Sequence, residues 1–128
     1  MVFPVMVLDS SFLVSLFITE DSNNERALDL FERHRADEML LTDIVLFETL
    51  TILAYKKGAS FAKDSYHDLL SNGKLQLLYL NENERKEILE SFLAQDGKLS
   101  VEDISVIHSC KKALAKPLAF DKEILKRA

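Results

Sequence analysis

Glu48 is the least expected residue of the chain, the only charge between Ile44 and Ala54 (Ile-Val-Leu-Phe-Glu-Thr-Leu-Thr-Ile-Leu-Ala). On a helix its neighbours one turn away are Ile44, Val45 and Ile52, so its carboxylate falls on a face that should be buried. A buried, ionised carboxylate without a partner costs several kcal/mol, so Glu48 is ion-paired, protonated, metal-bound, or reaches the surface at the edge of that face. Three more acids stand at the borders of elements. Asp9 follows the apolar run Pro4–Leu8, Asp121 follows Pro117–Phe120, and Asp103 has a Ser-x-x-Asp spacing with Ser100. Each has an ordinary structural use: Asp9 and Asp121 as helix caps accepting an orphan backbone N–H, Asp103 as the acid of a capping box. If the first and last apolar runs are neighbouring strands, all four carboxylates converge on one cleft. Clustered carboxylates repel one another unless a cation neutralises them, and oxygen-only ligands favour hard ions such as Mg²⁺ or Mn²⁺.

The elements that must position these acids alternate between short apolar runs and longer helical patterns. Pro4–Leu8, Met39–Leu41, Leu75–Leu80 and Pro117–Phe120 are too brief for ordinary helices and predict four buried strands. Helices are expected over Ser10–Thr19, Asn23–Arg35 (behind a Ser22-x-x-Glu25 capping box), Ile44–Lys57 (closed by Gly58) and Ser60–Ser71. Further helices are expected from the Asn81–Glu84 cap to Ala94, from Ser100 to Ala115, and from Lys122 onward, seven in all. Strands separated by one or two helices, with no hairpin signal, imply right-handed crossovers and a parallel sheet covered on both faces. The expected fold is therefore α/β: one doubly wound, Rossmann-like three-layer domain over residues 1–128, with a short, mainly parallel four-stranded sheet. In such sheets the ligand site lies beyond the carboxyl ends of the strands, where Asp9 and Asp121 sit.

Composition narrows the class of protein. A chain of 128 residues that is 48% hydrophobic and 29% charged, with 3 Gly and 2 Pro, fits one globular domain and excludes a disordered or fibrous chain. The single cysteine, Cys110, excludes an intramolecular disulfide framework and a cysteine-built zinc site. No apolar run is long enough to span a membrane, and Met1–Leu8 has no basic region before its apolar stretch, which argues against a secretory signal and for a reducing cytoplasm. The net charge of −5 hides a gradient: six basic side chains against two acids give residues 111–128 a charge of +4, leaving −9 on the other 110 residues. An acidic protein suits carboxylates gathered round a divalent cation. The basic end is either a solvated helix face or a surface that meets a phosphate backbone.

The chain resembles the PIN-domain family, and most of all the VapC-type toxins of prokaryotic toxin–antitoxin pairs. The resemblance rests on Val7-Leu8-Asp9-Ser10-Ser11-Phe12-Leu13, on Glu48 within Val45-Leu46-Phe47-Glu48-Thr49-Leu50, on Leu99-Ser100-Val101-Glu102-Asp103-Ile104, and on Pro117-Leu118-Ala119-Phe120-Asp121-Lys122-Glu123-Ile124. It implies a metal-dependent ribonuclease with Asp9, Glu48, Asp103 and Asp121 as both catalytic and metal-holding acids. RNA would be cut by a water activated on one or two Mg²⁺ or Mn²⁺ ions, held mainly by Asp9 and Asp103. It also implies a homodimer and a cognate antitoxin whose peptide lies in a groove near the site; Phe12, Leu13, Phe17, Leu28 and Phe31 are the apolar residues in question. The chain departs from the family in two places. Ala119 stands where the family usually has Thr or Ser, and the chain stops at Ala128, where many relatives continue into a fifth strand. Two other readings stand beside the nuclease: a non-catalytic PIN-like interaction module, and a phosphatase using Asp9 as nucleophile. The latter class carries a second aspartate two residues on, where this chain has Ser11. No histidine is required: His34 reads as surface, His108 as packed or solvated, and His67 has no evident partner.

Overall fold

The computed structural model of the protein describes residues 4–128. The expectation drawn from Met1–Leu8 falls partly on residues 1–3, outside the described residues. Eleven elements follow in chain order: β1 (Val5–Leu8), α1 (Ser10–Phe17), α2 (Asn24–Arg33), β2 (Glu38–Thr42), α3 (Asp43–Lys57), α4 (Ala59–Leu70), β3 (Leu75–Leu78), α5 (Glu82–Ala94), α6 (Val101–Ala113), β4 (Lys116–Leu118) and α7 (Lys122–Arg127). The strands form one sheet in the order β3-β2-β1-β4, parallel at every pairing. Four parallel strands and seven helices match the architecture expected from the sequence.

The central strand explains the burial pattern. Met6, Val7 and Leu8 are consecutive and all buried, and successive side chains of a strand point to opposite faces, so both faces of β1 are covered. Phe12 and Leu13 of α1, Met39 and Leu41 of β2, Val45 of α3, Ile88 of α5, Val106 of α6 and Ile124 of α7 complete a contiguous core. β1 lies between β2 and β4 with Leu8 opposite Leu118, and the ladder runs one residue further: the Asp9 N–H donates to the Leu118 carbonyl at 3.1 Å. The end of β1 is thereby fixed against the end of β4. Adjacency of the first and last strands, the condition for the acids to converge, is met.

Local signals in the chain set most helix ends. Capping boxes form at Asn81/Glu84 and Ser100/Asp103, and Gly58 closes α3 at φ 97°, a left-handed geometry that favours glycine. The box expected at Ser22/Glu25 does not form. Asn23 is the cap of α2 without a side-chain bond, because the Asp21 Oδ1 accepts the Asn23 N–H at 2.8 Å and turns the chain one residue earlier. The buried Asn24 side chain then donates to the carbonyls of Ser15 (2.9 Å) and Leu16 (3.3 Å), tying α2 to the end of α1. His34 is half-buried rather than a surface residue, since its Nδ1 lies 2.8 Å from Asp37 Oδ2.

Candidate active site

At the carboxyl end of the sheet lies a cavity of about 570 Å³, within the roughly 300–1,000 Å³ usual for ligand pockets. Its lining includes all four acids singled out in the sequence, Asp9, Glu48, Asp103 and Asp121, together with Glu102 and Asp21. Lys56 is the one basic side chain on its wall among the described residues. Six acids against one cation make the pocket strongly negative.

The acids differ in how their oxygens are used. Asp9 caps α1: its Oδ2 accepts the Ser11 N–H at 3.2 Å and a short hydrogen bond from the Ser11 hydroxyl. Its Oδ1 is buried and has no hydrogen-bond partner among the described residues. A buried acceptor left open is costly, so this carboxylate is answered either by a proton shared with the neighbouring Glu102 carboxyl or by a cation. Asp103 likewise completes its capping box, its Oδ2 accepting the Ser100 N–H at 2.9 Å while its own N–H donates to Ser100 Oγ at 3.0 Å. Capping and convergence on the pocket are therefore compatible, since each cap occupies one carboxylate oxygen.

Glu102 is the residue the sequence reading passed over. It is buried, and its Oε1 accepts the Ser10 N–H at 3.0 Å. Burial, reinforced by the neighbouring Asp9 and Glu48, pushes its carboxyl up to about 10. Carboxylate oxygens of Asp9, Glu102 and Asp103 lie within 4.8 Å of one another. A signal for Glu102 exists in the chain: it heads the stripe Glu102–Ser105–Val106–Ser109, and all four side chains are buried.

Glu48 is partly buried, and its Oε2 accepts the Ser10 hydroxyl at 2.8 Å. Ser10 thus joins two acids, Glu102 through its amide and Glu48 through its hydroxyl. Of the alternatives left open for Glu48, a structural ion pair does not form among the described residues. Asp121 is exposed on the pocket rim and caps α7, its Oδ1 accepting N–H groups from Glu123 (2.8 Å) and Ile124 (3.4 Å). Asp121 and Glu48 line the pocket outside the three-acid cluster. Ala119 is buried in the core, whereas Ser10, Ser11, Ser15 and Ser100 bring hydroxyl-bearing side chains to the pocket. Phe120 closes one side, its ring 6.0 Å from Phe12 and covered by the Arg26 guanidinium at 4.9 Å.

The sequence model of the PIN domain family matches residues 6–128, and the chain belongs to that family. Its fold is similar to that of a toxin from Mycobacterium tuberculosis, VapC20, described as cleaving the sarcin–ricin loop: TM-score 0.82 at 20% identity, covering 93% of this chain and 92% of that one. It is also similar to a chain in the structure of VapBC2 from Rickettsia felis bound to a DNA fragment from their promoter, with TM-score 0.67, 11% identity, and coverage of 96% and 92%. No curated protein matches the sequence. Among the described residues no helix is long and apolar enough to cross a membrane.

Proposed function

We propose that this protein is a metal-dependent endoribonuclease, the toxin of a toxin–antitoxin pair, working with Asp9, Glu48, Asp103 and Asp121 and with Glu102 beside them. The observation that carries the reading is the cluster of Asp9 and Glu102, both buried, with the partly buried Asp103: one carboxylate oxygen of each lies within 4.8 Å of the others, and Asp9 also has a buried oxygen, Oδ1, without a partner among the described residues. The donor set is all oxygen and carries excess negative charge, which fits a hard divalent cation such as Mg²⁺ or Mn²⁺. When bound, that cation supplies Lewis-acid activation of water and offsets the charge that builds on a phosphodiester during in-line displacement.

The chain's own residues do the rest. Asp9, Glu102 and Asp103 would hold the cation, with the Glu102 proton passing to solvent so that the carboxyl could serve as a ligand. Glu48, fixed by the Ser10 hydroxyl, accepts a proton from the attacking water, and Asp121 orients that water from the rim. Lys56, the one basic side chain on the pocket wall among the described residues, contacts a neighbouring phosphate of the substrate. RNA as the substrate class is supported by family membership and by the description of VapC20.

Two further surfaces support the partners this reading requires. Phe12 and Leu13 are core residues, but Phe17, Leu28 and Phe31 join Leu16 and Leu69 in an apolar cleft of about 270 Å³ that suits an antitoxin peptide. Phe47 and Tyr55, 56% and 91% exposed, lie two turns apart on one face of α3 and suit the contact of a homodimer. A reducing cytoplasm suits Cys110, the only thiol of the chain and a buried one.

The test is cleavage of a labelled single-stranded RNA in Mn²⁺, in Mg²⁺ and in chelator, with the melting temperature followed across a cation titration. Cleavage is expected only with cation, with a concentration-dependent stabilisation of about 2.7 kcal/mol at a hundredfold excess over Kd. A melting temperature indifferent to cation, with intact RNA, would leave the interaction module as the better reading.

A further inference from the structure

We infer that the basic carboxyl-terminal surface carries the RNA strand away from the carboxylate pocket, over α7 and into a second cleft between α5, α6 and α7. The inference rests on the nuclease reading above and adds the route of the substrate. A pocket lined by six acids and one lysine offers a phosphate backbone little beyond its cation and Lys56, so attraction for the rest of an RNA strand must come from outside it.

The fold places such a source alongside. Of the six basic residues between Lys111 and Arg127, two are in ion pairs, Lys112 with Glu84 at 3.0 Å and Arg127 with Glu123 at 3.1 Å. Lys111, Lys116, Lys122 and Lys126 have no ion-pair partner among the described residues. α7 begins at the pocket: Asp121 lines it and Lys122 is the next residue, with Lys126 one turn further on the same helical face. Arg127, at the far end, lines the second cleft, about 410 Å³ in volume, together with Lys111 and His108. From Asp121 to Arg127 is on the order of 9 Å along the helix, a length that a few nucleotides cover.

The two cavities share a wall. Ser100 and Asp103 face the catalytic pocket, while their neighbours Leu99 and Ile104 face the second cleft. α7 runs from Asp121 at the pocket to Arg127 at the cleft, so a strand that follows it passes Lys122 and Lys126 and then reaches Arg127 and Lys111. The cleft's apolar floor of Leu99, Ile104 and Ile107 suits a base or ribose. Lys116 starts β4, at the opposite end of the sheet from the pocket, and lies off this route.

The experiment compares the wild-type chain, the triple variant Lys111→Gln/Lys122→Gln/Lys126→Gln, and a charge-matched control, Lys63→Gln/Lys74→Gln/Lys116→Gln. Binding of a labelled single-stranded RNA long enough to follow the whole route is measured in chelator against salt. Cleavage in Mn²⁺ is measured on that RNA and on an oligonucleotide of a few residues. The first triple variant should lower the slope of log K against log salt by about 2, at about 0.7 per lost phosphate contact on a single strand. It should lose kcat/KM on the long RNA while keeping it on the short one, and the control should do neither. An unchanged slope in the first variant, or an equal loss in the control, overturns the route while wild-type binding and cleavage leave the nuclease reading standing. A wild-type chain that neither binds nor cuts RNA overturns both. Loss of binding to polyglutamate with RNA affinity intact would assign the surface to an acidic protein partner and overturn the route.

Discussion

Asp9 and Asp43 both stand where a parallel strand gives way to a helix, on the adjacent strands β1 and β2, and both are buried. Their surroundings are opposite. Asp43 has its charge answered inside the protein: its Oδ1 accepts the Leu80 N–H at 3.2 Å and its Oδ2 pairs closely with Arg85 of α5. Asp9 faces two further acids, has an open buried oxygen, and has no cation of the protein against it among the described residues. One junction has its counter-charge built in, and the other has none among the described residues. A buried acid is thus a structural statement at one strand end and a chemical one at the next, and the presence of a built-in counter-charge separates the two.

The largest expected effect follows from exchanging these roles. Asp9→Asn should abolish cation-dependent RNA cleavage while leaving the melting temperature in chelator at or above that of the wild type, because it removes repulsion and keeps the cap. Cleavage at the wild-type rate by Asp9→Asn would erase the distinction. Arg85→Met should act the other way, costing about 2 kcal/mol by denaturant unfolding, because it leaves the buried Asp43 without its partner, while the half-exposed position of Arg85 lets water reach part of the charge. The protein that remains folded should still cut RNA.

The third effect is on pH dependence. Glu102 has an ordinary value near 4.5 when unfolded and about 10 in the folded, cation-free protein. The folded state therefore holds a proton that the unfolded state has lost across that interval, so this contribution is complete below the lower value and vanishes as pH rises through the upper one. Unfolding free energy in chelator should fall from pH 6 to pH 9 in the wild type and fall less in Glu102→Gln. Bound cation should flatten the wild-type profile as well, since it favours the ionised acid. Equal slopes for the two proteins in chelator would remove Glu102 from the cluster. The smallest effect is that of Lys56→Gln, about a tenfold loss of kcat/KM or less, appearing in KM and easing at high salt.

The fold was largely legible because its signals are local. Short apolar runs, capping residues and Gly58 set strands and helix ends without reference to the rest of the chain. The α2 start was misread for the same reason: Ser22 and Glu25 had the right spacing, but Asp21 competes for the same turn and takes it. The acids divide along similar lines. Asp9 and Asp121 are marked by the apolar runs they follow, although β4 ends at Leu118 and Asp121 stands three residues beyond it, and Glu48 is marked by its isolation in an apolar stretch. Glu102 was hidden because consecutive acids in a first helical turn are ordinary, and which of Glu102 and Asp103 turns inward is decided by how α6 is rotated against β1. Ser10 was hidden because a hydroxyl carries no charge to make it conspicuous. The Asp43–Arg85 pair spans 42 positions and is settled only when α5 docks beside the start of α3.

Ser10 has a consequence for how this protein must be titrated. Its amide serves Glu102 and its hydroxyl serves Glu48, while Asp9 precedes it in the chain, so the proton on Glu102 is held in part by the charges that Ser10 ties beside it. The Glu102 inflection of a pH titration then reports its neighbours as well as itself, and removing the charge of Asp9 or of Glu48 should move that inflection down rather than delete it.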